Sequence, residues 1–254
     1  MPEKNYLTRS EQNIWEYIKD KDIVDNELVN RIFPEISGQK RRKILHSLYK
    51  KGYLNRAIKD LYYNPANLNS FYKVALRIRG GYIGLISALR FYNLIEYEDF
   101  TIFVITRRFR KKIELAGTNY AIQYIPFDKY FTGFEKKGDI YISSIEKTLF
   151  DCLLKPNLVG LSNITKAFYD AKPDWNKLIY FFKQTENSSL CQRTGYLLEM
   201  MKKIIKIPSS VFEALLPKVR YPVKLLPIKG KSKFNKKWKV QDNAGEKAIL
   251  SWWN

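Results

Sequence analysis

Three short amphipathic segments with tight connections occupy the first part of the chain. The first opens at Thr8, with Glu11 three residues later in the spacing of a capping box. The second starts near Asp25. The third follows Ser37 and ends at Gly52, which can adopt the left-handed conformation that closes many helices. Three helices joined in this way predict a helix-turn-helix.

Two short stretches rich in Tyr, Leu and Ile follow the third helix, and Lys59-Asp60 lies between them where a turn can form. They predict a two-stranded β-hairpin, the wing of a winged helix-turn-helix. Helical patterns resume at Ser70, which favours a domain boundary shortly before it. We therefore predict a winged helix-turn-helix DNA-binding domain over residues 1–67 and a second domain over residues 68–254.

The second domain mixes strand and helix patterns. Residues 101–106, TIFVIT, are typical of a buried strand, and residues 122–127 and 139–143 alternate like further strands. Ser143 and Glu146 have the spacing of a capping box for a helix, and helical patterns dominate after it. The predicted fold class is α+β, with the N-terminal winged helix-turn-helix followed by a larger mixed α/β C-terminal domain.

The charge balance is strongly basic, with 45 Lys and Arg against 25 Asp and Glu and a formal net charge of +20. Because 45% of the residues are apolar and 15% are aromatic, the chain can bury a core, and its charge is not that of a disordered tail. A basic globular protein needs an anionic partner, and nucleic acid is the leading candidate. A Lys-rich surface of the thermophilic type stays an alternative.

Cys152, Cys191 and the single His46 are too few for a disulfide framework or a metal site built on His or Cys. The polar start of the chain is unlike a signal peptide, and no apolar stretch reaches the ~20 residues that span a bilayer. We expect a reduced, cytoplasmic protein with no membrane partner, no metal and no cofactor.

The third helix carries the sharpest functional pattern. At about 100° per residue, Gln39, Arg42, Lys43 and His46 fall in one stripe, and the apolar residues of the helix face the other way. Arg pairs bidentately with guanine, Gln pairs with adenine, and Lys reaches phosphate, so the stripe is suited to a DNA major groove. Ser37 at the N-cap leaves backbone N–H groups at the helix start that can bind a phosphate. A solvated basic helix face is the alternative.

Arg56 and Lys59 lie in the predicted wing. They are placed to contact the minor groove or the DNA backbone, which adds affinity without much base discrimination. Charges that block pairing at an edge strand explain them equally well.

Two further basic clusters lie in the second domain. One follows the strand at residues 101–106, and the other is the segment from Lys218 to Lys239, which holds nine Lys or Arg, no acid, and the aromatic residues Phe234 and Trp238. Both have the composition of a surface for nucleic acid or an acidic partner, although solvated loops and core aromatics would look the same. With Arg193 from the segment before Lys218, the residues of this secondary basic surface are Arg107, Arg108, Arg110, Lys111, Lys112, Arg193, Lys231, Lys233, Lys236 and Lys237.

The chain contains no Walker-type glycine loop, no G-x-S-x-G, no H-E-x-x-H and no paired-Cys metal spacing. Glu146 and Asp151 share a helix, where structural roles explain them better than catalysis. A nuclease would need clustered carboxylates followed by a Lys, and Asp128 and Asp139 do not provide such a set. We therefore predict no catalytic residue and no enzyme activity.

Six features occur in a distinctive order: the basic winged helix, GGYIGLISALRFYNLI, TIFVIT followed by basic residues, ISSIEKTLFDCL, CQRTGYLLE and LPIKGKSKFNKKWKV. Together they resemble the AbiEi family of abortive-infection, type IV antitoxins. The resemblance runs from about residue 8 to residue 243. Its most distinctive parts are Tyr82 to Leu94, Ser143 to Asp151, Arg193 to Glu199 and Gly230 to Asn243.

The resemblance implies a winged helix that binds inverted repeats of double-stranded DNA in its own promoter, with pairs of protomers on the DNA, and represses the operon. It also implies a C-terminal domain that counters a cognate toxin similar to nucleotidyltransferases, which a type IV antitoxin need not contact directly. No catalytic residue carries over. The DNA contacts that the resemblance implies are Lys40, Arg41, Arg42, Lys43, Arg56 and Lys59. The antitoxin activity is expected on the basic surface of the C-terminal domain and on the helical segment from Arg193 to Glu199.

Two alternatives stay open. A stand-alone winged-helix transcriptional regulator would have the same first domain and no toxin partner. A nuclease-like or group-transferring enzyme would act on nucleic acid through the second domain.

Overall fold

The computed structural model describes residues 6–96, 100–228 and 232–253, and it is a mixed α+β structure. Its residues form two compact units. The first unit comprises Met1–Tyr82, Asp99–Phe131 and Gly138–Ile140, and the second comprises Ile83–Glu98, Thr132–Lys137 and Tyr141–Asn254. This grouping differs from the division at residues 67 and 68, which stays a prediction. In the described part of the chain, every helix is too short or too polar to cross a lipid bilayer.

The helices and strands are numbered in chain order. The first half of the chain holds α1 (Arg9–Ile18), β1 (Ile23–Asp25), α2 (Asn26–Ile32), α3 (Gly38–Lys50), β2 (Asn55–Ile58), β3 (Leu61–Tyr63), α4 (Phe71–Ile78), β4 (Tyr82–Ile83), α5 (Leu85–Phe91), β5 (Thr101–Thr106), β6 (Lys111–Glu114) and β7 (Ala121–Pro126). The second half holds β8 (Phe134–Lys137), β9 (Ile140–Ser143), α6 (Ile145–Leu154), α7 (Pro156–Val159), α8 (Leu161–Ala171), α9 (Trp175–Lys183), α10 (Ser188–Met201), α11 (Ser209–Leu215), β10 (Val223–Lys224), β11 (Lys233–Asn235), β12 (Val240–Asp242) and α12 (Glu246–Ile249).

The first unit begins with three helices and a small antiparallel sheet of order β1-β3-β2. The predicted capping box at the start of α1 is confirmed: the Thr8 side chain accepts from the Glu11 backbone, and the Glu11 carboxylate accepts from the Thr8 backbone at 2.7 Å. The predicted hairpin is confirmed as well, since β2 pairs with β3 on either side of Lys59-Asp60. Strand β1 was not predicted, because its three residues are a strand only through their pairing with β3.

The same unit also contains α4 and the strands β6, β7 and β5, which lie side by side in that order. Strand β5 runs parallel to β7, and β6 runs antiparallel to it. The buried Tyr124 hydroxyl on β7 donates to the Ala75 carbonyl on α4 at 2.7 Å. This hydrogen bond satisfies the one polar group of a large buried ring, as buried tyrosines require.

In the second unit, the strands β4, β9 and β8 follow in that order, and Ile83 pairs with Ile142 in parallel. The segment that starts at Tyr82 therefore begins as a strand, and its helical part is α5. Asn93, with a φ of 55°, follows the end of this helix in the left-handed conformation.

The predicted capping box of Ser143 and Glu146 is wrong by one residue. Ser144 is the N-cap of α6, and its hydroxyl accepts from the Lys147 backbone at 3.3 Å. Ser143 ends β9 instead, and its buried hydroxyl shares a hydrogen bond of 2.7 Å with the Thr148 hydroxyl. Two consecutive serines offer two cap positions, and the sheet decides between them by including the first.

Helix α10 holds the C-terminal part of the second unit. Gln192 donates to the Trp238 carbonyl at 2.9 Å, and the Tyr196 hydroxyl donates to the Asp242 carboxylate at 2.8 Å. The fully buried ring of Trp238 lies against Gly195, where a Cβ atom would overlap it. The Trp238 indole N–H completes the contact by donating to Glu199. The segment CQRTGYLLE is therefore a docking surface for β10–β12.

Replacing Gly195 by Ala should destabilise the second unit, because the added methyl group has to displace the Trp238 ring. Overpacking of this kind costs about 1–3 kcal/mol or more of unfolding free energy. Chemical denaturation followed by Trp fluorescence measures the change. Gly80→Ala is the matched control, since a Cβ atom at Gly80 has no heavy atom within 4 Å. Equal stability of the two variants would contradict the packing described here.

Candidate nucleic-acid interface

Helix α3 packs through one side only. Ile44, Leu45 and Leu48 are buried in the core of the first unit, where they meet residues of α1 and α2 such as Ile14 and Val29. The burial of these side chains determines which side of the helix faces solvent.

The opposite side of α3 is exposed and rich in cations and hydrogen-bonding groups. We call it the α3 face, and it consists of Gln39, Lys40, Arg42, Lys43 and His46. In the described parts of the chain, neither Lys40 nor Lys43 forms an ion pair. The first turn of α3 contains no acidic residue, and Ser37 caps it as predicted by accepting from the Lys40 backbone. The structure therefore brings together five of the predicted DNA-binding residues.

Arg41 does not belong to the α3 face. It is 8% exposed, and its guanidinium donates to the Asn26 side chain at 3.3 Å and to the Ile36 carbonyl. This correction has a simple cause, because Arg41 precedes Ile44 by three residues and Leu45 by four, which places it on the core side of the helix. Arg41 stabilises the connection between α2 and α3. The helical spacing would have identified it as a residue on the core side.

The β2–β3 hairpin lies beside the start of α3. Asp60, which has a φ of 62° at the turn, approaches the Arg42 guanidinium to 3.8 Å. Lys59 next to it is exposed, as the wing prediction requires. Arg56 is only partly exposed, and its Nε donates to the Ile58 carbonyl at 3.2 Å where the strand register shifts. Of the two hairpin cations, Lys59 is the more available to a ligand.

An ion pair fixes the C-terminal end of α3 to the start of α1. The Lys51 ammonium lies 2.6 Å from the Glu11 carboxylate, whose side chain is 7% exposed. Burial by itself raises the pKa of Glu11, but hydrogen bonds from Lys51, Ser47 and Thr8 outweigh it and lower the pKa from 4.5 to about 2. Glu11 is therefore charged throughout the neutral range and secures both helices.

The basic residues after β5 also belong to the first unit. Arg107, Arg108, Arg110, Lys111 and Lys112 are all exposed. Arg108 lies 3.4 Å from Asp128, and Lys112 lies 3.7 Å from Glu114, so these two charges are partly offset. The Arg107 guanidinium lies 5.8 Å from the centre of the Phe131 ring. The cluster is therefore an exposed basic surface.

The other predicted residues of the secondary basic surface belong to the second unit and fall into three groups. Arg193 donates to the Lys224 carbonyl at 2.8 Å and Lys237 pairs with Glu199 at 2.5 Å, so both have structural partners. Lys233 and Lys236 are exposed. Lys231 lies outside the described residues. The assignment of Arg193 to a basic surface is therefore corrected, because its guanidinium attaches β10 to α10.

The carboxylates considered for catalysis have structural partners. Asp151 is fully buried and pairs with the buried Lys147 ammonium one turn earlier on α6. Glu146 accepts from the Asp174 backbone at 3.1 Å. Among residues 6–96, 100–228 and 232–253, no group of three or more His, Cys, Asp or Glu is arranged to hold a metal ion.

A comparison of the chain with protein-family models and with curated proteins finds no match. The resemblance to the AbiEi family therefore rests on the motifs of the sequence.

Replacing Glu11 by Gln should lower the free energy of unfolding by about 1–3 kcal/mol at pH 7, because the partly buried Lys51 ammonium loses its charged partner. The stabilisation by the ionised Glu11 carboxylate is fully present above the ordinary pKa of a glutamate, 4.5, and is lost as the pH falls toward about 2, the pKa of Glu11 in the folded protein. The difference between the two proteins should therefore shrink on acidification. Urea denaturation at pH 7 and pH 3 measures it.

Glu16→Gln is the matched control on the same helix. The Glu16 side chain is 47% exposed, and its partners are the exposed Lys19 ammonium and the Gln12 side-chain amide, so its loss should change stability by less than about 1 kcal/mol. Equal losses for the two variants would show that Glu11 does not anchor α3.

Proposed function

We propose that this protein binds double-stranded DNA through a winged helix-turn-helix and represses its own promoter. The observation that carries the proposal is the α3 face, in which exposed Gln, Lys, Arg and His residues lie opposite a fully buried apolar side. The major groove of DNA admits one α-helix, and such side chains pair with its base edges.

The element order supports the same proposal. Three helices are followed by an antiparallel hairpin, and the turn of that hairpin lies near α3 through Asp60 and Arg42. With α3 in the major groove, Lys59 at the turn is placed to reach the adjacent backbone, and the N-terminus of α3 is placed to bind a phosphate.

The expected base contacts can be assigned by side-chain chemistry. Arg42 suits guanine and Gln39 suits adenine, whereas Lys40 and Lys43 suit phosphates. His46 extends the same face one turn further along the helix. A protein of this size reads only a short site with one such helix, so two protomers on inverted repeats would provide the specificity.

The role beyond DNA binding rests on the resemblance to the AbiEi family. We infer that the protein is the antitoxin of a type IV system and that its C-terminal half counters a toxin similar to nucleotidyltransferases. We assign no catalytic role to Asp151, Glu146 or Arg193, because each of them has a structural partner.

Arg42→Glu combined with Lys43→Glu should weaken binding to the upstream DNA by at least about tenfold, because two exposed contacts with DNA become repulsive. Fluorescence anisotropy with a labelled duplex at two salt concentrations measures the effect. Before substitution, the upstream duplex should be preferred over an unrelated one by roughly a thousandfold.

The matched control is Lys183→Glu combined with Lys206→Glu, which makes the same change of net charge at exposed positions of the second unit. It should retain the preference for the upstream duplex. An equal loss in both double variants would assign binding to net charge alone and would reject α3 as the reading helix.

Co-expression with the toxin encoded beside the protein tests the antitoxin role separately. Restored growth supports it, and growth arrest with the antitoxin present contradicts it. Upstream DNA binding without any neighbouring toxin gene would identify a stand-alone regulator.

A further inference from the structure

The C-terminal segment separates its two aromatic residues. Trp238 is fully buried against α10, whereas Phe234 on β11 is 48% exposed. The sheet of order β10-β12-β11 explains the difference, because side chains alternate between its two sides. Val240 and Leu225 are directed to the buried side with Trp238.

The other side carries a row of three residues, one from each strand, of which Lys224 and Phe234 are exposed and Gln241 is partly exposed. Lys224 on β10 pairs with Gln241 on β12, and Gln241 pairs with Phe234 on β11. Residues paired in register share one side of a sheet, so the three side chains lie across it at intervals of about 5 Å. We call Lys224, Gln241 and Phe234 the exposed row.

The surroundings of the exposed row are positively charged. The sequence contains no Asp or Glu between Glu213 and Asp242, and Asp242 is buried against Tyr196. Lys218, Lys237 and Lys239 have backbone or carboxylate partners. By contrast, Lys224, Lys233 and Lys236 are exposed and form no ion pair with any residue that the structure describes.

We propose that the exposed row binds single-stranded nucleic acid, with a base stacked on Phe234 and phosphates on Lys224, Lys233 and Lys236. An exposed aromatic ring on an open sheet accepts any base, because every base has a π-face. Gln241 next to the ring offers an amide that can donate to a base edge and accept from it. The residues of this site belong to the second unit, whereas those of the α3 face belong to the first.

The chemistry of the exposed row favours single-stranded nucleic acid over an acidic protein. An acidic polypeptide would use the lysines, but it would leave Phe234 without a partner. A single strand uses both, because its bases are free to stack while its phosphates follow the cations. A duplex has no free base face to offer, so the exposed row should discriminate against it.

The experiment measures binding of the full chain to fluorescein-labelled decamers of oligo-dT and oligo-rU. Phe234→Ala should weaken binding about tenfold, since stacking contributes about 1–3 kcal/mol per base, and 1.4 kcal/mol is a factor of ten. Lys224→Ala combined with Lys236→Ala should reduce the slope of log K against log salt concentration by about 0.7 for each lost phosphate contact. The dT and rU series distinguish DNA from RNA as the preferred strand.

Phe100→Ala is the matched control, because Phe100 is 47% exposed and lies in the first unit. It should leave decamer binding unchanged. The same measurements in the Arg42→Glu, Lys43→Glu protein should give the same affinity for the decamers, while Phe234→Ala should retain binding to the upstream duplex. These two comparisons separate failure of the exposed row from failure of the α3 face.

Thermal unfolding of each variant confirms that the fold is retained. Equal decamer binding by Phe234→Ala and the unaltered protein would overturn the proposal. Displacement of the decamer by poly-glutamate, together with insensitivity to Phe234→Ala, would assign the surface to acidic proteins and would also overturn it.

Discussion

Burial of the apolar side of α3 is the constraint on which the proposed DNA binding depends. Leu45 and Leu48 are almost completely inaccessible to solvent, and full burial of such a side chain contributes about 1.5–3 kcal/mol. A rotation of the helix would expose both and bury Arg42 or Lys43 without a partner, which costs far more. The buried apolar side chains therefore orient the polar side chains of α3, although they do not contact the DNA themselves. Glu11 and Lys51 add a directional contact at the end of the helix.

In the second unit, too, the burial of one side of an element determines which side chains are exposed. Helix α10 presents Gly195 to the ring of Trp238. Gln192 donates to the Trp238 carbonyl, and the indole N–H donates to Glu199. The absence of a side chain at Gly195 is what allows the ring to approach the helix backbone. Because the ring attaches one side of the small sheet, the other side has to face solvent. The exposed row with Phe234 follows from that attachment.

Local patterns predicted local structure well. The capping box at Thr8 and the turn at Lys59-Asp60 depend on residues close in sequence, and both were predicted correctly. Errors occurred where distant residues compete. Ser143 lost the cap position because β9 includes it, and Arg193 donates to a carbonyl 31 residues away. Arg41 is a different case, since its position on the core side could have been recognised from helical spacing.

The excess of positive charge, the amphipathic nature of α3 and the separation of helical from strand segments follow from the sequence, because they depend on composition and on contacts within a few residues. Which cations are free and which aromatic residue is exposed depends on long-range packing. In the sequence pattern of the C-terminal segment, nothing distinguishes one lysine from another or Trp238 from Phe234. Their partners come from α10 and other remote elements, and pairing in the β-sheet assigns Trp238 to the core and Phe234 to the surface.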